Sequence, residues 1–185
     1  MLCRTGRRGF DSAYCYGAYD GTLRELIHLF KYSRMRGLAR PLGDLLMGAL
    51  PRDQHFDAVV PVPLHWRKRW QRGFNQSELL GRIIARRRGI PLRKILRRSA
   101  STRAQAGLSN AQRRENVSGA FRVRRRVPGM RILLIDDVMT TGATVAACGQ
   151  ALKRAGARSV TVLTVARVDR RFTDPTNFGK RKEPV

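Results

Sequence analysis

Hydrophobic residues return at helical spacing in four stretches of the chain and gather into short apolar or β-branched runs in three others. From Thr22, the residues Leu23, Leu26, Ile27 and Phe30 fall on one helical face, and Leu38, Leu42, Leu45 and Leu46 mark a second helix. His28, inside the first stretch, reads as a packed or surface histidine. Phe56 to Val62 is a short β-branched run that predicts a buried strand. A loop rich in cations and tryptophan is expected over residues 65–76, and Asn75 followed by Glu78 has the form of a capping box. Leu79, Leu80, Ile83 and Ile84 then predict a helix ending near Gly89. Residues 90–98 predict a second strand, and residues 99–107 carry no apolar period. Ser109 with Gln112 again has capping-box form and opens a short helix with Arg113, Arg114 and Asn116.

The most informative stretch is 131–144. Ile132 to Ile135 predict a strand buried on both faces, and Asp136 and Asp137 follow at its carboxyl end, where open α/β sheets place their ligands. Val138 and Met139 lead to Thr140, Thr141, Gly142, Ala143 and Thr144, after which Val145 to Ala155 has helical spacing and stops at Gly156. Small residues ahead of a helix let backbone N–H groups converge on an anion, and the helix dipole adds about half a positive charge there. Carboxylates beside such a cradle can accept hydrogen bonds from vicinal sugar hydroxyls or meet a hydrated Mg²⁺. The implied ligand is a ribose 5-phosphate group, set against the plainer reading of a solvated strand-to-helix turn. Ser159 to Val168 supplies a further core strand and completes a strand–helix–strand unit.

This stretch resembles the 5-phosphoribosyl-1-pyrophosphate (PRPP) motif of type I phosphoribosyltransferases. The resemblance implies an α/β fold with a mostly parallel central sheet flanked by helices and a mobile hood. It places the ribose hydroxyls on Asp136 and Asp137 and the 5-phosphate on residues 140–144, with Val138 and Met139 completing the motif. Thr140 stands where the 6-oxopurine enzymes carry an aspartate base, which argues against hypoxanthine or guanine salvage. Val60 to His65, Arg67, Arg72 to Gln76, Thr102 to Gln105, Arg114 to Val117 with Phe121, and Tyr19 to Tyr32 are similar to the ComF family of competence-associated proteins. That likeness runs from about residue 11 to 168 and implies a link to DNA uptake in natural transformation. Many members begin with a cysteine-rich zinc segment. Cys3 and Cys15 are too few for a tetrahedral zinc site, so no zinc is carried over.

The expected chemistry is transfer of a phosphoribosyl group from PRPP to a nitrogen acceptor with Mg²⁺ as cofactor. Arg67, Arg69 and Arg72 would neutralise the leaving pyrophosphate, since guanidinium forks suit phosphate oxygens. Arg103 and Gln105 are the expected hood side chains, an ordinary exposed loop being the alternative. No residue stands out as a base for an acceptor. A non-catalytic reading therefore stands beside the enzyme: a factor that keeps the ribose-phosphate pocket for PRPP or a nucleotide and binds single-stranded DNA.

Charge bears on that choice. The 185 residues hold 38 Lys plus Arg against 13 Asp plus Glu, a formal net charge of +25. The cations cluster at 67–72, 86–88, 93–98, 122–126 and 180–182, so the field runs along the chain and should attract polyanions in a salt-dependent way. The alternative is an arginine-rich host composition at ordinary solvated positions. Length and a 42% hydrophobic content fit one α/β domain. It is expected over 17–168, with a remnant segment at 1–16 and a basic tail at 169–185. No apolar run approaches the roughly 20 residues of a membrane span, and three cysteines make an odd count, which argues for a cytoplasmic protein without a disulfide framework. No pattern specifies an oligomeric state.

Overall fold

A computed structural model of the chain describes residues 2–3, 9–33, 35–98 and 120–168. Its main sheet contains β1 (Leu2–Cys3), β2 (Ser12–Ala18), β3 (Ala58–Pro61), β6 (Arg131–Met139) and β7 (Ser159–Arg167), in the order β1-β2-β7-β6-β3. All neighbours are parallel except β1, which is antiparallel to β2. The helices are α1 (Gly21–Tyr32), α2 (Ala39–Ala49), α3 (Trp66–Arg72), α4 (Gln76–Arg88) and α5 (Ala143–Arg154).

Alternation along β6 shows why its apolar run is unbroken. Side chains of a strand point to opposite faces in turn. Ile132 and Leu134 enter a core with Val160, Val162, Cys148 and Leu152 on the α5 side. Leu133 and Ile135 enter a second core with Ile27, Phe30, Leu42, Leu46, Leu80 and Ile84, from α1, α2 and α4. A strand covered by helices on both faces has no polar side to show. At its lower end the Asp57 carboxylate accepts from Arg131 N at 2.7 Å and from its guanidinium at 2.9 Å. Hydrogen bonds from Arg131 thereby hold the Asp57 pKa down to about 2.

The structure corrects several expectations. Residues 12–16, expected in a remnant segment for want of apolar periodicity, belong to β2, which pairs with β7 from Ser12 to Ala18, so the boundary at residue 17 cuts a strand. The expected loop at 65–76 contains α3, closed by Gly73 at φ 76°. Its residues make a helix without an apolar face because nearly all of it is exposed. Residues 90–98 are not one strand. Leu92 bridges Val59 on the outer edge of β3, while β4 (Leu96–Arg98) turns away and pairs antiparallel with β5 (Phe121–Val123). Asn75 caps α4 by accepting from Ser77 N at 3.1 Å, but Glu78 turns to Arg82 (2.7 Å) and Lys94 (3.2 Å) and does not close a capping box. Among the described residues no helix is long and apolar enough to cross a membrane, and Cys15 and Cys148 are buried.

Candidate functional site

β6 outruns its neighbour. Its pairing with β3 ends at Pro61 opposite Ile135, apart from one more bond from Val62 N to the Ile135 carbonyl, 2.9 Å. On the other side β6 stays paired with β7 to Met139. Asp136 and Asp137 therefore lie within the strand, at the step left where β3 stops. Asp136 Oδ1 accepts from Ser77 Oγ at 2.9 Å and from Asp137 N at 3.0 Å. Asp137 Oδ1 accepts from Val138 N at 2.7 Å, and its Oδ2 lies 3.3 Å from Lys31 Nζ of α1.

Burial raises the Asp136 pKa to about 7, and the charge of Asp137 pushes the same way. The Ser77 hydroxyl, the Asp137 N–H and the Lys31 ammonium pull it back without cancelling the burial. The Cys148 thiol, across from Asp136 on α5, is pushed up by its own burial and by the Asp136 charge.

Thr140 and Thr141 are exposed and follow β6 directly. Gly142 adopts φ 76°, a left-handed conformation that favours glycine, and so turns the chain into α5. Thr141 Oγ1 accepts from Ala143 N at 3.3 Å. The N–H groups of Thr144 and Val145 belong to the helix's first turn, which has no intrahelical acceptors. Met139 sends its side chain into the α5-side core and Val138 packs on the opposite one, so any contact of theirs with a ligand is through backbone.

The three expected arginines do not act alike. Arg72 donates to Gln76 Oε1 (3.4 Å) and Tyr32 Oη (3.3 Å), and its guanidinium lies 4.9 Å from the Tyr32 ring centroid. Gln76 in turn donates to the Phe30 carbonyl at 3.4 Å. Arg72 is therefore part of the joint between α1, α3 and α4. Arg67 lies 5.2 Å over the Trp66 ring, and it and Arg69 are exposed. Arg103 and Gln105 lie outside the described residues.

Two side chains of the site were not singled out by sequence reasoning. Ser77 is oriented by Asn75, whose amide also donates to the Val62 carbonyl at 3.0 Å and so ties the end of β3 to the start of α4. Nothing in Asn75-Gln76-Ser77 marks that serine. Lys31 offered one weak signal, a cation directly after the apolar face of α1.

Residues 75–177 match the phosphoribosyl transferase domain family. The chain is 33% identical over 175 residues to Competence protein F of Haemophilus influenzae, covering 89% of this chain and 76% of that one. It is 36% identical over 156 residues to the DNA utilization protein YhgH of Escherichia coli strain K12, covering 80% and 69%. It is 33% identical over 116 residues to Competence protein ComFC of Bacillus subtilis, covering 62% and 46%.

The chain belongs to the ComF family.

Its fold is that of the type I phosphoribosyltransferases, with β6, the 140–142 loop and α5 forming the strand–loop–helix unit. In this ComF chain the acid pair is fixed from outside that unit, by Ser77 of α4 and Lys31 of α1.

Proposed function

We propose that this ComF protein binds PRPP with Mg²⁺ and transfers its phosphoribosyl group to a nitrogen acceptor, in a process linked to DNA uptake. The observation that carries this is the joining of two fixed carboxylates to a Thr-Thr-Gly-Ala-Thr helix start at the open end of β6. Asp136 and Asp137 accept from the ribose hydroxyls and set the sugar's orientation. The first turn of α5, with Thr140, Thr141 and Thr144, holds the 5-phosphate. As the bond from C1 to the pyrophosphate oxygen breaks, its electron pair leaves with pyrophosphate, and the acceptor nitrogen's lone pair forms the new bond to C1. Exposed Arg67 and Arg69 offset the charge of the leaving group, with Arg72 holding their helix against α1 and α4. Positioning and electrostatics supply the acceleration.

The donor set fits Mg²⁺ held jointly with substrate. Among the described residues no cluster of three or more acidic, histidine or cysteine side chains forms a metal cage. Asp136 Oδ2 accepts no hydrogen bond among them either, which suits an ion bound by one or two carboxylates and substrate phosphates. Bound there, Mg²⁺ would neutralise pyrophosphate oxygens.

The test is calorimetric titration of PRPP with Mg²⁺ into wild type and into a variant carrying Asp136→Asn and Asp137→Asn. Binding weakened at least about tenfold in the variant, a loss of roughly 1.4 kcal/mol, is expected. A folded wild type that binds no PRPP overturns the reading. Pyrophosphate release with a panel of nitrogen acceptors then tests turnover.

A second reading, single-stranded DNA binding, is favoured by one observation. Trp66 and Trp70, the chain's two tryptophans, are 63% and 87% exposed on α3 beside Arg67 and Arg69. Aromatic faces set among cations stack unpaired bases.

A further inference from the structure

The C-terminal half of α4 borders a groove that takes no part in the site described above. Arg82, Ala85 and Arg86 form one wall, and Ile90 and Leu92 the other, around a volume of about 270 Å³. Its apolar part is fixed. Ile90 N donates to the Ala85 carbonyl at 3.0 Å, and Leu92 lies so close to α4 that a Cβ on Gly81 would come 3.1 Å from its Cδ1. Its polar part is positive. Arg82 shares Glu78 with Lys94, so one carboxylate answers two cations. Arg86 is exposed and forms no ion pair or side-chain hydrogen bond with the described residues, unlike Arg87 on Asp44 and Arg88 on the carbonyls of Arg52 and Gln54. The groove also runs beside unpaired backbone. Val59 N donates to the Pro91 carbonyl at 2.9 Å and Arg93 N to the Val59 carbonyl at 2.8 Å, which adds residues 91–93 to the edge of β3. Between them, the N–H and carbonyl of Leu92 face away from β3 and have no hydrogen bond to the described residues.

We propose that this groove docks an extended acidic segment of a partner protein, which adds a strand at Leu92, seats one aliphatic side chain between Ala85, Ile90 and Leu92, and sets carboxylates on Arg82 and Arg86. An open sheet edge is matched by an extended peptide, whose main-chain hydrogen bonds give affinity while its alternate side chains fill a pocket. The apolar walls favour burial of a side chain. The guanidinium of Arg86 offers planar donors that suit a carboxylate. Nucleic acid would answer the cations, but the groove has no aromatic wall on which its bases could stack, in contrast to the exposed tryptophans of α3. Ser77 stands at the start of α4 and Arg86 near its end, roughly 13 Å apart at about 1.5 Å per residue. Docking therefore leaves the acid pair open to its own ligand.

The probe is a short fluorescein-labelled peptide, a leucine set among aspartates, followed by fluorescence anisotropy with the full chain. It is measured against wild type, Arg86→Glu and Arg154→Glu, the last reversing an exposed charge on α5, across the sheet from α4. Wild type is expected to bind the peptide. Arg86→Glu should weaken it at least about tenfold, the scale of one charge-assisted hydrogen bond, and Arg154→Glu by less than about threefold, since salt screens a distant charge. Serine in place of the peptide's leucine should also cost about tenfold. Methylating alternate amide nitrogens of the peptide should abolish binding in one phase and spare it in the other, because an added strand pairs through one edge. The proposal is overturned if wild type binds the peptide no better than a version with lysine for aspartate, or if Arg86→Glu costs no more than Arg154→Glu. Serine binding as well as leucine, or methylation acting alike in both phases, overturns it too. A short unlabelled oligothymidylate that displaces the peptide as readily as unlabelled peptide does would assign the groove to nucleic acid instead. If Arg86→Glu does not fold, Arg86→Gln, which removes the charge without reversing it, takes its place with the same expected loss.

Discussion

Asp136 ionises with difficulty because its carboxyl is buried beside a second carboxylate. In the unfolded chain it titrates near its ordinary value of 3.8, and in the folded protein near 7. Between those values the folded state holds more protons than the unfolded state, so this group's contribution to stability falls as pH rises through that window and levels off above it. Asp136→Asn keeps an acceptor for Ser77 and for Asp137 N but has no charge to bury. Its unfolding midpoint in urea should match wild type near pH 4 and exceed it at pH 8, by on the order of 2 kcal/mol in free energy. A gap that fails to widen with pH would show that Asp136 is not held away from water. The same substitution should cost ligand affinity, so stability and binding move in opposite directions. The acid pair itself was legible as two aspartates after an apolar run. Its partners were not, because Ser77 and Lys31 are brought to it only by the packing of α4 and α1.

Gly149 shows the equivalent constraint at the level of elements. A Cβ there would meet the carbonyl of Gly9 and come within 3.4 Å of Phe10 N, so α5 and the segment leading into β2 touch backbone to backbone. On helix propensity alone, Gly149→Ala should stabilise α5 by about 1 kcal/mol. The contact predicts the reverse, a net loss on the order of 2 kcal/mol from overpacking, read as a lower urea midpoint with the slope unchanged. Equal or greater stability would contradict the close approach. Elements with a strong pattern were legible: α1 from Leu23, Leu26, Ile27 and Phe30, α4 from its Asn75 cap and Gly89 stop, β6 from an unbroken apolar run and β7 from a β-branched one. β2 was missed because Ser-Ala-Tyr-Cys-Tyr-Gly-Ala buries small residues, Ala13 and Cys15, which leave a weak alternation. α3 was missed because an exposed helix has no periodicity to display. The split of residues 90–98 depends on two partners, Val59 and β5, that no local pattern names.

Across the whole molecule the formal charge of +25 far exceeds what one phosphorylated ligand requires. Part of it is structural. Arg87 pairs with Asp44, and Arg88 donates to the carbonyls of Arg52 and Gln54, so two members of the 86–88 cluster hold α4 to its surroundings. On α3 the arrangement differs, with exposed tryptophans among exposed arginines. If single-stranded DNA docks there, oligothymidylate should quench the intrinsic tryptophan fluorescence. Trp66→Ala with Trp70→Ala should weaken retention on a single-stranded DNA column by about tenfold or more, given roughly 1–3 kcal/mol per stacked base. The apparent affinity of wild type should fall steeply with salt. Quenching by heparin equal to that by DNA would reduce the interaction to charge alone.

The strand order has a bearing on how the protein is made. β2 emerges well before β7, yet β7, the last described strand, is its parallel neighbour, with Ser12 beside Thr161 and Ala18 beside Arg167. A nascent chain thus carries β2 with its β7-side edge open until β7 has left the ribosome, and exposed edges of this kind are where growing chains aggregate or recruit chaperones. A message cut short before β7 would yield the acid pair and the phosphate loop on a sheet that cannot close.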